Sequence, residues 1–113
     1  MILLKANELE LAVINDLLIS KGKKTIDDSL KLISDRDFTG VGVFSWFIRD
    51  ERLRVGCSNE TYLHDEIFAY LDEDLDTGYL IRISDGYIDS LECHTMAGEP
   101  WPKNISKIKL YHL

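Results

Sequence analysis

The dipeptide Asp85-Gly86 lies between two stretches of β-branched and aromatic residues, 79–84 and 87–94. Asp-Gly is typical of a type I′ turn, because both residues tolerate the positive φ angles that this turn requires. The sequence therefore predicts a β-hairpin around this dipeptide. In its second strand, the odd-numbered residues should lie on one face of the sheet and the even-numbered residues on the other.

Other stretches also have the composition of strands. Residues 41–48 are β-branched and aromatic, and they are apolar on both faces, which is typical of a central strand. Residues 67–71 fit a strand or a helical turn, and we favour a strand because 79–84 follows within hairpin reach. The predicted strands are 41–48, 67–71, 79–84, 87–94 and 108–113, with a short return strand at 53–55.

Two helices are expected before the strands. Asn7 and Glu10 form a capping-box pattern at the start of an apolar helical repeat, which predicts a first helix over 8–21 that ends at Gly22. The apolar spacing within Ile26–Ser34 predicts a second, shorter helix. The sequence therefore predicts an α+β fold, with two N-terminal helices packed on one face of an antiparallel sheet of about five strands.

The size and composition of the chain fit a single domain over residues 1–113. Lys5 interrupts the apolar start of the chain, so no signal peptide is expected, and no apolar run reaches the ~20 residues that span a bilayer. Cys57 and Cys93 lack the number and spacing of a disulfide framework. We expect two free thiols in the cytoplasm, with a single bridge between them as the alternative.

The net charge of −7 resides in the second half of the chain. Residues 1–56 carry nine Lys/Arg and nine Asp/Glu, whereas residues 57–113 carry four Lys/Arg and eleven Asp/Glu. An acidic surface repels phosphate groups, so direct binding of nucleic acid or of an anionic membrane is not expected. The charge favours a basic protein partner, and the alternative is that the acidic residues serve only solubility.

The acidic residues concentrate in 65–76, a segment with six carboxylates and no Lys or Arg. Carboxylates steer a cationic partner and aromatic rings anchor it, so this segment is a candidate interface. Trp101, held between two prolines, is either part of the core or a further anchor. The predicted partner-binding residues are Asp65, Glu66, Tyr70, Asp72, Glu73, Asp74, Asp76 and Trp101.

The sequence offers little support for metal binding or catalysis. Residues 72–78 resemble the start of a calcium loop, but Thr77 replaces its glycine and Ile83 its bidentate glutamate, so we expect no metal and no cofactor. Nucleophilic catalysis needs a base within reach of the nucleophile, and only Cys57 with His64 is left open. We therefore predict a binding protein without catalytic residues. The alternative is a small enzyme or metal-binding protein that uses these two residues and nearby acids.

Several short segments of the chain together resemble a known family. They are 39–44, 78–83, 85–88, 91–93 and 98–102. The pattern is similar to that of small bacterial immunity proteins of contact-dependent growth inhibition and other polymorphic toxin systems. Its elements mark hairpins and a closing loop, so no functional residue is carried over. The resemblance implies a protein that binds a cognate toxin domain and blocks it, and many such toxins are basic nucleases.

Overall fold

A computed structural model describes residues 2–113. These residues form one α-helix and seven β-strands, and a 3-10 turn spans Glu51–Leu53. The elements are β1 Leu4–Lys5, α1 Glu8–Ser20, β2 Lys31–Phe38, β3 Gly42–Phe47, β4 Tyr62–Leu71, β5 Leu75–Ser84, β6 Tyr87–Thr95 and β7 Ile108–His112. All strands belong to one antiparallel sheet in the order β1-β2-β3-β6-β5-β4-β7. The predicted arrangement of two helices on a sheet of about five strands is wrong.

The first helix begins at the predicted capping box. The Asn7 side chain accepts a hydrogen bond from the Glu10 backbone N–H, and the Glu10 carboxylate accepts one from the Asn7 backbone N–H. These bonds satisfy amides that have no partner within the first turn of a helix. The helix buries apolar residues along its length, including Val13, Ile14 and Leu17.

The second predicted helix, Ile26–Ser34, does not exist. Asp27 instead accepts a hydrogen bond from the Ser29 backbone N–H, which stabilises a turn, and β2 follows. Ile33 pairs with Phe47 of β3, and Leu32 is buried as well. The ladder to β3 satisfies the backbone of this segment, whereas an isolated helix of this length is only marginally stable.

The hairpin at Asp85-Gly86 is confirmed, with φ angles of 52° and 82° at its two turn residues. Two bulges accompany the neighbouring ladders. The register between β4 and β5 shifts at Asp65 and Glu66, and Asp89 is the extra residue of β6. Because a bulge reverses the alternation of faces, Ile88 lies in the core, where strict alternation would place it outside.

The predicted return strand at 53–55 is wrong. Leu53 ends the 3-10 turn, and Arg54 alone forms a bridge, which pairs it with Tyr87. Asp50 caps this turn by accepting a hydrogen bond from the Arg52 backbone N–H. The turn directs Leu53 and Val55 into the core below the sheet.

The helix covers one face of the sheet and leaves the other bare. Strand residues such as Ile33, Ile67, Ile81 and Leu91 form a single core cluster with the buried side of α1. The alternate strand residues point away from the helix and stay outside that cluster. A sheet with one layer on it gives a slab of 37 × 34 × 21 Å, whose helix-free side is termed the outer face below.

Within residues 2–113, the β3–β6 ladder alone joins the two halves of this sheet, which are β1-β2-β3 and β6-β5-β4-β7. Gly42 lies at this junction opposite His94, and a Cβ at position 42 would overlap the backbone carbonyl of Cys93. The close approach of the two backbones therefore requires glycine here.

Candidate protein-binding surface

The outer face carries large apolar side chains that no other part of the described chain covers. Tyr70, Met96 and Leu63 have exposed fractions of 38%, 48% and 61%, and the other apolar residues of this face are half-buried. Exposed apolar side chains grouped on one face make that face a candidate interaction site. The half-buried members are Phe44, Trp46, Phe68, Leu80 and Tyr111.

A first aromatic cluster lies on β3. The rings of Phe44 and Trp46 stack with their centroids 5.5 Å apart and an interplanar angle of 18°. Phe44 lies between Asp37 of β2 and Glu92 of β6 in the register, and Trp46 lies beside Asp35 of β2. Each ring of this pair therefore has a carboxylate as its cross-strand neighbour.

A second aromatic cluster lies on the edge strands β4 and β7. Tyr111 stacks on Phe68 and on Tyr70, with centroid distances of 5.4 and 4.8 Å. Its hydroxyl donates a hydrogen bond of 2.5 Å to the Asp76 carboxylate, and this bond raises the pKa of Tyr111 above its usual value. Tyr70 and Asp76, both predicted partner-binding residues, are thus brought together by pairing of β4 with β5.

Gly78 and His94 separate the two clusters on the outer face. A Cβ at Gly78 would lie 2.9 Å from the His94 ring and 3.0 Å from the Met96 sulfur, so both side chains fold over this glycine. In the register, His94 and Gly78 lie between Gly42 of β3 and Phe68 of β4.

Two of the predicted acidic residues have structural roles. Asp72 accepts hydrogen bonds from the backbone N–H groups of Ser106 and Lys107 at 2.9 and 2.8 Å, which holds its pKa below the usual value. Glu73 forms an ion pair of 2.8 Å with the Lys107 ammonium group. Asp72 therefore fixes the chain before β7, and Glu73 carries its own counter-ion.

Three of the other predicted acidic residues are available at the surface. Asp74 is exposed in the β4–β5 turn, and Asp65 and Glu66 are exposed in the β4 bulge. Lys109 of β7 lies opposite Tyr70, so the segment is less acidic in the fold than in the sequence. The structure thus distributes the predicted site over the turn, the bulge and the outer face.

Trp101 lies on the helix side of the sheet, away from the acidic residues. It is half-buried beside a cavity of about 340 Å³, together with Leu9, Val43 and Cys93. The Glu10–Arg36 ion pair, with an N–O distance of 2.5 Å, also borders this cavity. Every buried side-chain nitrogen and oxygen within residues 2–113 has a hydrogen-bond partner, so this cavity presents no unpaired buried polar group.

The two cysteines are free thiols in different environments, because Cys57 is exposed and Cys93 is buried. Burial and the nearby Glu10 carboxylate raise the pKa of the Cys93 thiol. We expect Cys57 to react with an aromatic disulfide reagent at pH 8 at least ten times faster than Cys93, which should react only after denaturation. The Cys57→Ser variant is the control, and rapid labelling of that folded variant would contradict the expectation.

The structure does not bring together the residues of the predicted enzymatic alternative. The Cys57 carbonyl lies against Gly86 at the β5–β6 turn, whereas His64 pairs with Ile81 in the body of the sheet. The part of the chain that the structure describes contains no cluster of His, Cys, Asp and Glu suited to a metal ion. None of its helices has the length and apolarity needed to cross a membrane.

Comparisons with family models, with curated proteins and with solved structures find no match to this chain.

Proposed function

We propose that this protein is an immunity protein that binds a basic bacterial toxin domain and blocks its active or substrate-binding surface. The observation that carries the proposal is the outer face, on which two aromatic clusters lie among carboxylates. Aromatic residues are enriched among the residues that dominate binding energy, and complementary charge accelerates encounter. We also propose that the protein acts in the cytoplasm and binds neither nucleic acid nor membrane directly.

The dimensions of the outer face suit this role. A stable protein interface buries about 800 Å² on each partner. The molecule extends 37 × 34 Å along its two longer axes, which leaves room for such a contact without any rearrangement of the fold. The helix on the other side leaves this face free, so partner binding would not compete with the core.

The direct test is capture from a lysate of the source organism, with the tagged protein as bait and washes at low and high salt. We expect one stoichiometric basic protein that kills cells when expressed alone and is harmless when co-expressed with this chain. With the purified pair, the association rate should fall at least tenfold between 50 and 500 mM NaCl. A retained protein that is not toxic, or an association rate that does not change with salt, would contradict the proposal.

A further inference from the structure

We propose that the outer face binds arginine side chains of its partner above the Phe44–Trp46 pair, between the carboxylates of Asp37 and Glu92. This inference rests on the proposed function and specifies the chemistry of the partner surface. The candidate site consists of Asp35, Asp37, Phe44, Trp46 and Glu92, and it is called the arginine site below.

The register of three strands builds the arginine site. Asp37, Phe44 and Glu92 are direct cross-strand neighbours on β2, β3 and β6. Adjacent strands lie roughly 4.8 Å apart, so the two acidic residues flank the Phe44 ring with about 10 Å between their Cα atoms. Asp35 and Trp46 form the next row on the same face.

In the part of the chain that the structure describes, no cation pairs with the acidic residues of this site. Neither Asp37 nor Glu92 forms an ion pair within residues 2–113, and Asp35 accepts a hydrogen bond only from the Arg36 backbone N–H. The Arg36 side chain crosses to the helix side, where it pairs with Glu10. Like charges held around an apolar surface repel one another, and a partner cation would relieve this repulsion.

The cation that fits this arrangement best is a guanidinium group. It is planar and weakly hydrated, so it stacks on aromatic rings, and its fixed N–H groups donate to carboxylates on either side. A lysine ammonium group is more strongly hydrated and lacks the plane that matches the stacked rings. The site should therefore prefer arginine to lysine.

The row of acidic residues continues beyond the arginine site. Leu80 of β5 lies next to Glu92, and the β4 bulge with Asp65 and Glu66 lies at the same level, between the pairs His64–Ile81 and Ile67–Tyr79. A partner with several arginines in a row would therefore meet carboxylates across the width of the sheet. This charge complementarity identifies the occupant as a basic protein surface.

The test is a titration of the ¹⁵N-labelled full chain with a tetra-arginine peptide, followed by nuclear magnetic resonance. The chain has two tryptophans, so the indole N–H of Trp46 reports on the arginine site and that of Trp101 is an internal control. We expect the Trp46 signal to shift with the β2, β3 and β6 amides, and the Trp101 signal to stay in place. Tetra-lysine should bind at least fivefold more weakly.

Two double variants distinguish binding at the arginine site from non-specific attraction of a cationic peptide to an acidic protein. Asp37→Asn with Glu92→Gln should weaken tetra-arginine binding at least tenfold, and the amide spectrum would verify the fold. Asp28→Asn with Glu8→Gln removes the same charge from exposed positions outside the candidate surface and should change binding less than twofold. The inference would be overturned if both double variants lose the same affinity for tetra-arginine or if the two peptides bind wild type equally well. It would also be overturned if the NMR signals that shift lie away from Trp46.

The inference and the proposed function can fail separately. A captured toxin that binds wild type and the Asp37→Asn/Glu92→Gln variant equally would overturn the arginine site and leave the immunity role intact. Arginine-specific shifts at Trp46 without any toxic partner would support the arginine site and contradict the immunity role. Concentration-dependent self-association that the same variant abolishes would identify a second copy as the occupant and overturn the inference.

Discussion

Replacement of Glu10 by alanine is expected to lower the free energy of unfolding by about 3–5 kcal/mol, the cost of breaking a buried ion pair by removing one partner. Glu10 is 2% exposed and bonds the Arg36 guanidinium at 2.5 and 3.1 Å. It also accepts a hydrogen bond from the Ser45 hydroxyl and closes the capping box with Asn7. One carboxylate thus connects α1 with β2 and β3, and its loss leaves Arg36 charged and without its partner.

The control for this prediction is Glu8→Ala in the same turn of the helix. Glu8 is exposed and its side chain has no ion-pair partner among the described residues, so its loss should cost less than about 1 kcal/mol. Urea unfolding followed by circular dichroism measures both variants. If both variants lose a similar free energy of unfolding, the buried ion pair of Glu10 contributes no more stability than an exposed carboxylate at a helix N-terminus.

Replacement of Gly42 by alanine is expected to cost about 3 kcal/mol, the upper part of the range for overpacked sites. The added Cβ overlaps the Cys93 carbonyl, which belongs to the backbone of β6 and cannot rotate away as a side chain does. The strands must separate at the one ladder that joins the two halves of the sheet. Hydrogen exchange of the β3 and β6 amides should accelerate along with the loss of stability.

The neighbouring Val41→Ala variant provides the comparison, since Val41 is 42% exposed and precedes β3. Its effect should stay within about 0.5 kcal/mol, as for most surface substitutions. A Gly42→Ala variant that unfolds at the same urea concentration as wild type would show that the β3–β6 ladder can widen at no cost.

Local signals in the sequence predicted local structure well. The Asn7–Glu10 capping box, the Asp85-Gly86 turn and the apolar strand at 42–47 appear in the structure at the expected positions. Each depends on residues within a few positions of one another, so propensity and turn chemistry suffice to identify it.

The errors arose where distant segments decide the outcome. The apolar spacing of Ile26–Ser34 fits a short helix as well as a turn and a strand, and pairing with β3 selects the strand. The bulge at Asp89 places Ile88 on the core side of β6, against the alternation of the later residues. No local sequence pattern predicts this bulge.

The candidate site was predicted only in part for the same reason. Asp37 lies in the electrically neutral half of the sequence, and only strand pairing places it one ring away from Glu92. In the opposite sense, Lys107 reaches Glu73 from 34 residues away and neutralises part of the acidic segment. A count of charges along the chain shows neither the proximity of Asp37 to Glu92 nor the ion pair of Lys107 with Glu73. Both depend on the order of the strands in the sheet.

The two sides of the sheet differ in how freely their side chains can be exchanged, because the helix packs on only one of them. Side chains of the outer face contribute nothing to the volume that the helix and sheet enclose, so exchanging them leaves core packing intact. Side chains of the outer face can therefore change one strand position at a time while the fold is preserved. The same property makes the outer face suitable for a randomised library, from which binders of other proteins could be selected.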